Sequence, residues 1–256
     1  MTQFSSVYSL DDGQLPYFPQ VLPENTLIDL QVTQLDVLQA LSSLAGKHSS
    51  GPDDLKADFL YKIRSHLVKP LQMIFNASLR SSDVPSDWKN AVVVPCYKRN
   101  NKPNCPASYR PISLTNICCK ILEFIILKYL KAYFLESCIN FNCQHGFIAK
   151  RSTLTNLLET LNDITSFCND GFPVDLIYLD VSKAFDSVSH EKIIFKLKKY
   201  GIGGNLLNWI KNFLTGRTQC VRVGNYISPP LPPLQWPRPG QYPRAMAVPG
   251  NPGGAS

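Results

Sequence analysis

VDLIYLDVSKAFDSVSH (residues 174–190) begins as a short apolar run and passes straight into a carboxylate. Val174 to Leu179 reads as a short, mostly apolar strand that ends at Asp180. A strand that stops at an acid puts negative charge at the carboxyl edge of a sheet, where α/β proteins place their sites. Five residues on, Phe185 adds a bulky ring beside that acid. Taken alone, the pair is better explained by a strand end and a core aromatic than by a site. The neighbouring segments decide between the two readings.

Downstream, Ser189 is placed to cap a helix that Gly201 ends. Asn205 to Leu214 is amphipathic, and Arg217 to Val223 (RTQCVRV) alternates like a strand. Upstream, Ser152 to about Cys168 reads as a helix. Another helix carries Ile121, Ile125 and Tyr129, with Leu122, Ile126 and Leu130, at every fourth position. Ala91 to Tyr97 (AVVVPCY) reads as a buried strand, followed by a loop at 99–106. Two helices are expected at 54–66 and 69–81, with Pro70 in a first turn. Thr33 to Leu44 reads as a helix capped by Thr33, with Leu38, Leu41 and Leu44 on one face and Gly46 stopping it. Residues 1–32 lack a clear period and read as an extended lead-in. Helices interleave with strands, so the fold class is mixed α/β (α+β).

The chain has 256 residues and a formal net charge of +7, which suits a polyanionic partner, nucleic acid first. Its eight cysteines form no CxxC pair, and Cys138, Cys143 and His145 fit zinc spacing poorly. Scattered thiols fit a reducing compartment, nucleus or cytoplasm. No secretory leader is visible at the N-terminus. The most apolar stretch, Ile117 to Leu135, is broken by Lys120, Glu123, Lys128 and Lys131, so no membrane span is expected.

Six blocks, in order, resemble the reverse transcriptase domain of non-LTR (LINE-type, jockey- or CR1-like) retrotransposons. They are GPDDLKADFL (51–60), VPSDWKNAVVVPCYKR (84–99), SYRPISLTN (108–116), QHGFIAKRST (144–153), LDVSKAFDSVSH (179–190) and GIGGNLLNWIKNFLTGRTQCVRVGN (201–225). The resemblance implies the fingers and part of the palm of a right-hand polymerase over 33–228. It implies RNA-directed DNA synthesis with an RNA template, a DNA primer and deoxynucleoside triphosphates. Nucleotidyl transfer of this kind uses two Mg²⁺ ions, one on the attacking oxygen and one on the leaving pyrophosphate, held by hard oxygen ligands. By the resemblance Asp180 is a catalytic Mg²⁺ ligand, helped by the backbone carbonyl of Val181. Phe185 gates the sugar against a 2′-hydroxyl. Lys98 and Arg110 meet the incoming triphosphate, where cations offset developing charge. Gln144, Gly146 and Arg151 lie in the template-contacting region. His145 has no argued role beyond its block, and His190 reads as a helix-start residue. Ile148 departs from the family, which usually has Arg there.

After GNY (224–226) the family continues with a Gln-Gly block and then two adjacent aspartates that complete the metal site. Here only Asp186 and Glu191 follow Asp180 as acids, so this chain alone is expected to be inactive. Residues 229–256 instead hold nine of the 20 prolines and four of the 14 glycines. Such a tail is expected to be disordered. Codons from Gln235 read one nucleotide later can spell Ser-Gly-x-x-Gln-Gly-Ser-Ile-Leu-Gly-Pro-Trp-Leu-Phe. Its first Gly is forced by Trp236–Pro237 and its Trp by Met246–Ala247, so the tail reads as out of frame. The alternatives are a genuine Pro-rich ligand, PPLPPL at 229–234, and for the whole chain a non-catalytic RNA or RNA–DNA binding module or a polymerase completed by another chain.

Overall fold

The computed structural model describes residues 25–47, 50–99, 102, 104–105, 108–137, 143–180 and 188–230. The expectations for Val181, Phe185, residues 1–24 and residues 231–256 lie outside these.

The described order is α1 (Gln34–Ser42), α2 (Ala57–Lys62), α3 (Arg64–Ser81), a 3-10 turn (Ser86–Lys89), β1 (Asn90–Tyr97), β2 (Tyr109–Thr115), α4 (Ile117–Glu136), α5 (Thr153–Asn169), α6 (His190–Lys199), α7 (Gly204–Leu214), β3 (Thr218–Val223) and β4 (Tyr226–Ile227). The strands form one four-stranded sheet in the order β2-β1-β3-β4. β1 runs antiparallel to β2 and parallel to β3. The class is mixed α and β, as the sequence implies.

α4 is the central helix. Ile121, Leu122, Ile125, Ile126 and Leu130 are all 2% exposed or less, so the two rows of apolar residues at every fourth position merge into one broad buried face. Its N-terminus is capped twice. Asn116 Oδ1 accepts from the amides of Cys118 and Cys119, and Asp53 Oδ2 accepts from Ile117 N. Asp53 comes from the GPDD block, which is thereby tied to the start of α4. Gly51 in the same block passes so close to the Thr115 carbonyl that an added Cβ would lie 2.4 Å from its oxygen. Only glycine fits there.

α1 is capped by Thr33 through a reciprocal box with Asp36. Its buried face is Asp36, Val37, Ala40 and Leu41. Leu38 is 38% exposed, so the expected Leu38–Leu41–Leu44 face is rotated by one position. The helices expected at 54–66 and 69–81 are instead Ala57–Lys62 and Arg64–Ser81, breaking at Ile63. Pro70 lies inside α3 rather than in a first turn, leaving one i→i−4 bond unmade.

Residues 25–32 run outside any helix or sheet strand, and Leu30 and Val32 are buried in the core. Asn76 serves both backbone groups of Val32, its Oδ1 accepting from the amide and its Nδ2 donating to the carbonyl. Leu27 N donates to Gly201 O, and Gly203 N donates to Leu27 O. Gly204, at φ +53, packs directly on Ile28, which explains a glycine at that point of the GIGG run. Trp209 of α7 is fully buried and donates through Nε1 to Ser78 Oγ, whose own hydroxyl donates to the Asp83 carbonyl.

The strand expected at 174–179 is absent. Residues 172–180 are assigned neither helix nor strand, and no described strand pairs with them. Ile177, Tyr178 and Leu179 are 82, 82 and 90% exposed. Apolar β-branched composition favours a strand only where a neighbouring strand takes its hydrogen bonds. α5 forms where a helix was expected and is capped by Ser152, but it buries no residue, and Leu154, Leu157, Leu158 and Leu161 face solvent.

Candidate nucleotide and template site

The β1–β2 hairpin positions the first two candidate residues. Its register pairs Cys96 with Arg110 and Tyr97 with Tyr109, and Lys98 N donates to Ser108 O at 2.8 Å. Residues two apart on a strand share a face, and directly opposed residues share it too. Lys98 and Arg110 are therefore diagonal neighbours on one face of the hairpin end, and both are exposed. Two cations held this way can meet adjacent oxygens of a polyphosphate. The same register sets Pro95 opposite Pro111. Counting back from the Lys98–Ser108 bond, that pair falls where the ladder exchanges no hydrogen bonds, so the missing amides cost it nothing.

The second group forms a closed turn. Gln144 Nε2 donates to Gly146 O at 2.9 Å, and Arg151 donates through a terminal guanidinium nitrogen to Gln144 O at 3.0 Å. Phe147 and Lys150 take left-handed φ values of 63° and 66°, each costing about 1 kcal/mol for a side-chain-bearing residue. His145 is buried beneath the turn. Its Nδ1 lies 2.9 Å from Thr155 Oγ1 and its Nε2 2.8 Å from Glu159 Oε2. The sequence reading missed this anchor, although Thr155 and Glu159 at i and i+4 on a helix share a face and signal a common partner.

Asp180 lies in the 172–180 stretch, outside any helix or strand, and is exposed. It is not brought to a sheet edge, contrary to expectation, because its strand has no partner among the described residues. No group of three or more His, Cys, Asp or Glu side chains suited to a metal ion occurs among the described residues. One exposed carboxylate falls well short of the six oxygens Mg²⁺ demands. The described residues thus do not by themselves fit the implied two-ion centre.

A charged cluster around the buried Arg217 was not foreseen. Arg217, only 4% exposed, donates to Phe213 O at 3.0 Å and stacks 4.5 Å from the Phe213 ring. Burial raises the Glu123 carboxyl to about 7, against the lowering effect of the Arg217 charge. Cys119 donates to Glu123 at 3.4 Å, and burial lifts its thiol well above the ordinary value. Burial also lowers His190 to about 4, assisted by Arg217. His190 is the first residue of α6, the helix-start place expected for it. No described helix is long and apolar enough to cross a membrane.

The profile of the family described as "Reverse transcriptase (RNA-dependent DNA polymerase)" matches residues 98–232, just over half of the chain. The matched stretch opens at Lys98 and takes in the hairpin end, the Gln144–Arg151 turn and Asp180. The chain is similar to the "Probable RNA-directed DNA polymerase from transposon BS" of Drosophila melanogaster, 30% identical over 76% of this chain and 21% of the relative. It is 29% identical to the "RNA-directed DNA polymerase from mobile element jockey" of Drosophila melanogaster, over 77% of this chain and 21% of the relative. The type-1 retrotransposable element R2 polyprotein of Popillia japonica is 30% identical over 55% of this chain and 19% of its own length. The chain therefore spans about a fifth of the length of the curated relatives it matches. With the six blocks in order and this breadth of match, the chain belongs to the reverse transcriptase (RNA-dependent DNA polymerase) family, in its non-LTR retrotransposon branch.

Proposed function

We propose that the chain is part of an RNA-directed DNA polymerase that copies a non-LTR element's RNA, with 33–228 forming fingers and part of the palm. The family match running from Lys98 through the Asp180 block carries this reading. Lys98 and Arg110 bind the triphosphate of the incoming deoxynucleotide as a paired cationic face. Gln144, Gly146 and Arg151 meet the template, Phe185 screens the sugar, and Asp180 with the Val181 carbonyl contributes to a Mg²⁺ site that this chain's own acids leave incomplete. The 256-residue chain by itself is inactive and keeps salt-dependent affinity for an RNA–DNA hybrid. Residues 1–32 are a lead-in, 229–256 an out-of-frame tail, and the protein acts in the nucleus or cytoplasm.

The test is crosslinking of a photoreactive deoxynucleoside triphosphate, with hybrid binding and primer extension measured alongside. The Lys98→Ala/Arg110→Ala double variant should lower nucleotide labelling about tenfold or more, since two charge-assisted contacts are lost. No primer should be extended in Mg²⁺. Extension by the wild type that Asp180→Ala abolishes would overturn the inactivity. Labelling indifferent to both cations would overturn the nucleotide assignment. Hybrid binding without any nucleotide labelling would favour a pure binding module.

A further inference from the structure

The turn at 144–151 contains two side-chain-bearing residues in left-handed conformations, so something outside it must hold its shape. Within it Gln144 bonds to Gly146, Arg151 to the Gln144 carbonyl, and Arg151 N to Ile148 O. His145, 7% exposed, sends its side chain out of the turn to a regular element. Its ring spans one turn of α5, hydrogen-bonded to Thr155 at one nitrogen and donating to the Glu159 carboxylate at the other.

Thr155 is itself fixed. Its hydroxyl oxygen accepts from Ser152 N, and its amide donates to Ser152 Oγ. A chain of bonds thus runs from the helix cap through Thr155 to the imidazole and into the backbone between Gln144 and Gly146. α5 buries no side chain of its own, which raises the weight of a polar clamp at this end.

We propose that His145 is a positioning residue: clamped across Thr155 and Glu159, it sets the angle at which Gln144 and Arg151 face a nucleic-acid strand. This rests on the template reading of the turn. It also accounts for the histidine inside QHGF without giving it an acid or base step.

The test uses the full chain, a short RNA–DNA hybrid at low salt, amide exchange at 144–151 and thermal unfolding. Arg151→Ala calibrates the turn's contribution. His145→Ala should weaken binding by about the same factor, roughly fivefold or more for a lost charge-assisted contact, and speed exchange at 144–151 while leaving the α4 core protected. His145→Gln, which keeps an N–H for Glu159, should recover most of the affinity. Glu159→Ala, at a 60% exposed side chain, should fold normally and show a partial loss. If Arg151→Ala weakens binding while His145→Ala and Glu159→Ala do not, the positioning role is overturned. If Arg151→Ala has no effect, the template reading of the turn is overturned, and the proposal with it. Equal loss in His145→Ala and His145→Gln, with the melting point lowered in both, would make the residue merely structural and overturn it too.

Discussion

Asp36 should give the domain an acid-labile joint. Its carboxylate is 4% exposed and takes four donors. Lys128 Nζ donates to Oδ1 at 2.8 Å, while Tyr129 OH at 2.8 Å, Thr33 OH at 2.6 Å and Thr33 N at 3.0 Å donate to Oδ2. Burial alone would raise its pKa, but the hydrogen bonds outweigh that and hold it at about 2 rather than 3.8. A carboxyl whose pKa is depressed on folding stabilises the folded state above its unfolded pKa and stops doing so as pH falls through the folded one. The window is therefore pH 3.8 down to about 2, and the linkage amounts to about 2 kcal/mol. Asp36→Asn keeps the shape but brings an amide N–H among donors. Urea unfolding followed by Trp88 and Trp209 fluorescence should show it less stable than wild type by about 2 kcal/mol at pH 6, the gap narrowing to under about 1 kcal/mol by pH 2.5. A gap constant from pH 6 to 2.5 would refute the reasoning, because the loss would then be one of packing rather than charge. Lys128→Met should cost less than about 1 kcal/mol, since half of that side chain is in solvent.

Further outcomes follow from other contacts. Ser78→Ala leaves the Trp209 indole N–H and the Asp83 carbonyl without their partner, and should cost about 2–3 kcal/mol in urea unfolding. Gly51→Ala should lower the melting temperature, because its Cβ would meet the Thr115 carbonyl oxygen at 2.4 Å; an unchanged melting point would contradict that contact. Tyr133 OH donates to the carbonyls of Asn25 and Tyr200, so Tyr133→Phe should cost about 1 kcal/mol and speed amide exchange at 25–30. Burial raises Glu123 to about 7. Its contribution is thus fully present below pH 4.5 and fades as pH rises through 7, and Glu123→Gln should flatten the fall in urea midpoint between pH 5 and 8.

Helix starts were legible because caps are local. Thr33, Ser152 and Ser189 each accept the amide three residues on, as their side chains allow. Strand identity was not local. AVVVPCY forms β1, whereas VDLIYL, equally apolar, pairs with nothing described. SYRPISLTN concealed β2 because a proline in a run argues against a strand until the register shows which amides the ladder needs. Lys98 and Arg110 were legible as motif residues, but their shared face required the register. The Glu123–Arg217 cluster joins residues far apart in sequence, and neither gives any sign of burial. The Leu38 misassignment is a rotation of one position, within what spacing alone distinguishes on a short helix.

Pro111 has a consequence for how these molecules behave in a crowd. β2 is an outer strand of the sheet, and a free strand edge invites another chain to extend it, the first step of fibre growth. At Pro111 the outward-facing position offers no amide, so an incoming strand meets a gap midway along the seven-residue row. At the opposite rim β4 is only two residues long, too short to template anything. The β2 rim is thereby defended against copies of the chain. Precipitation of this chain should consequently proceed through the bare leucines of α5 and yield amorphous material rather than ordered filaments.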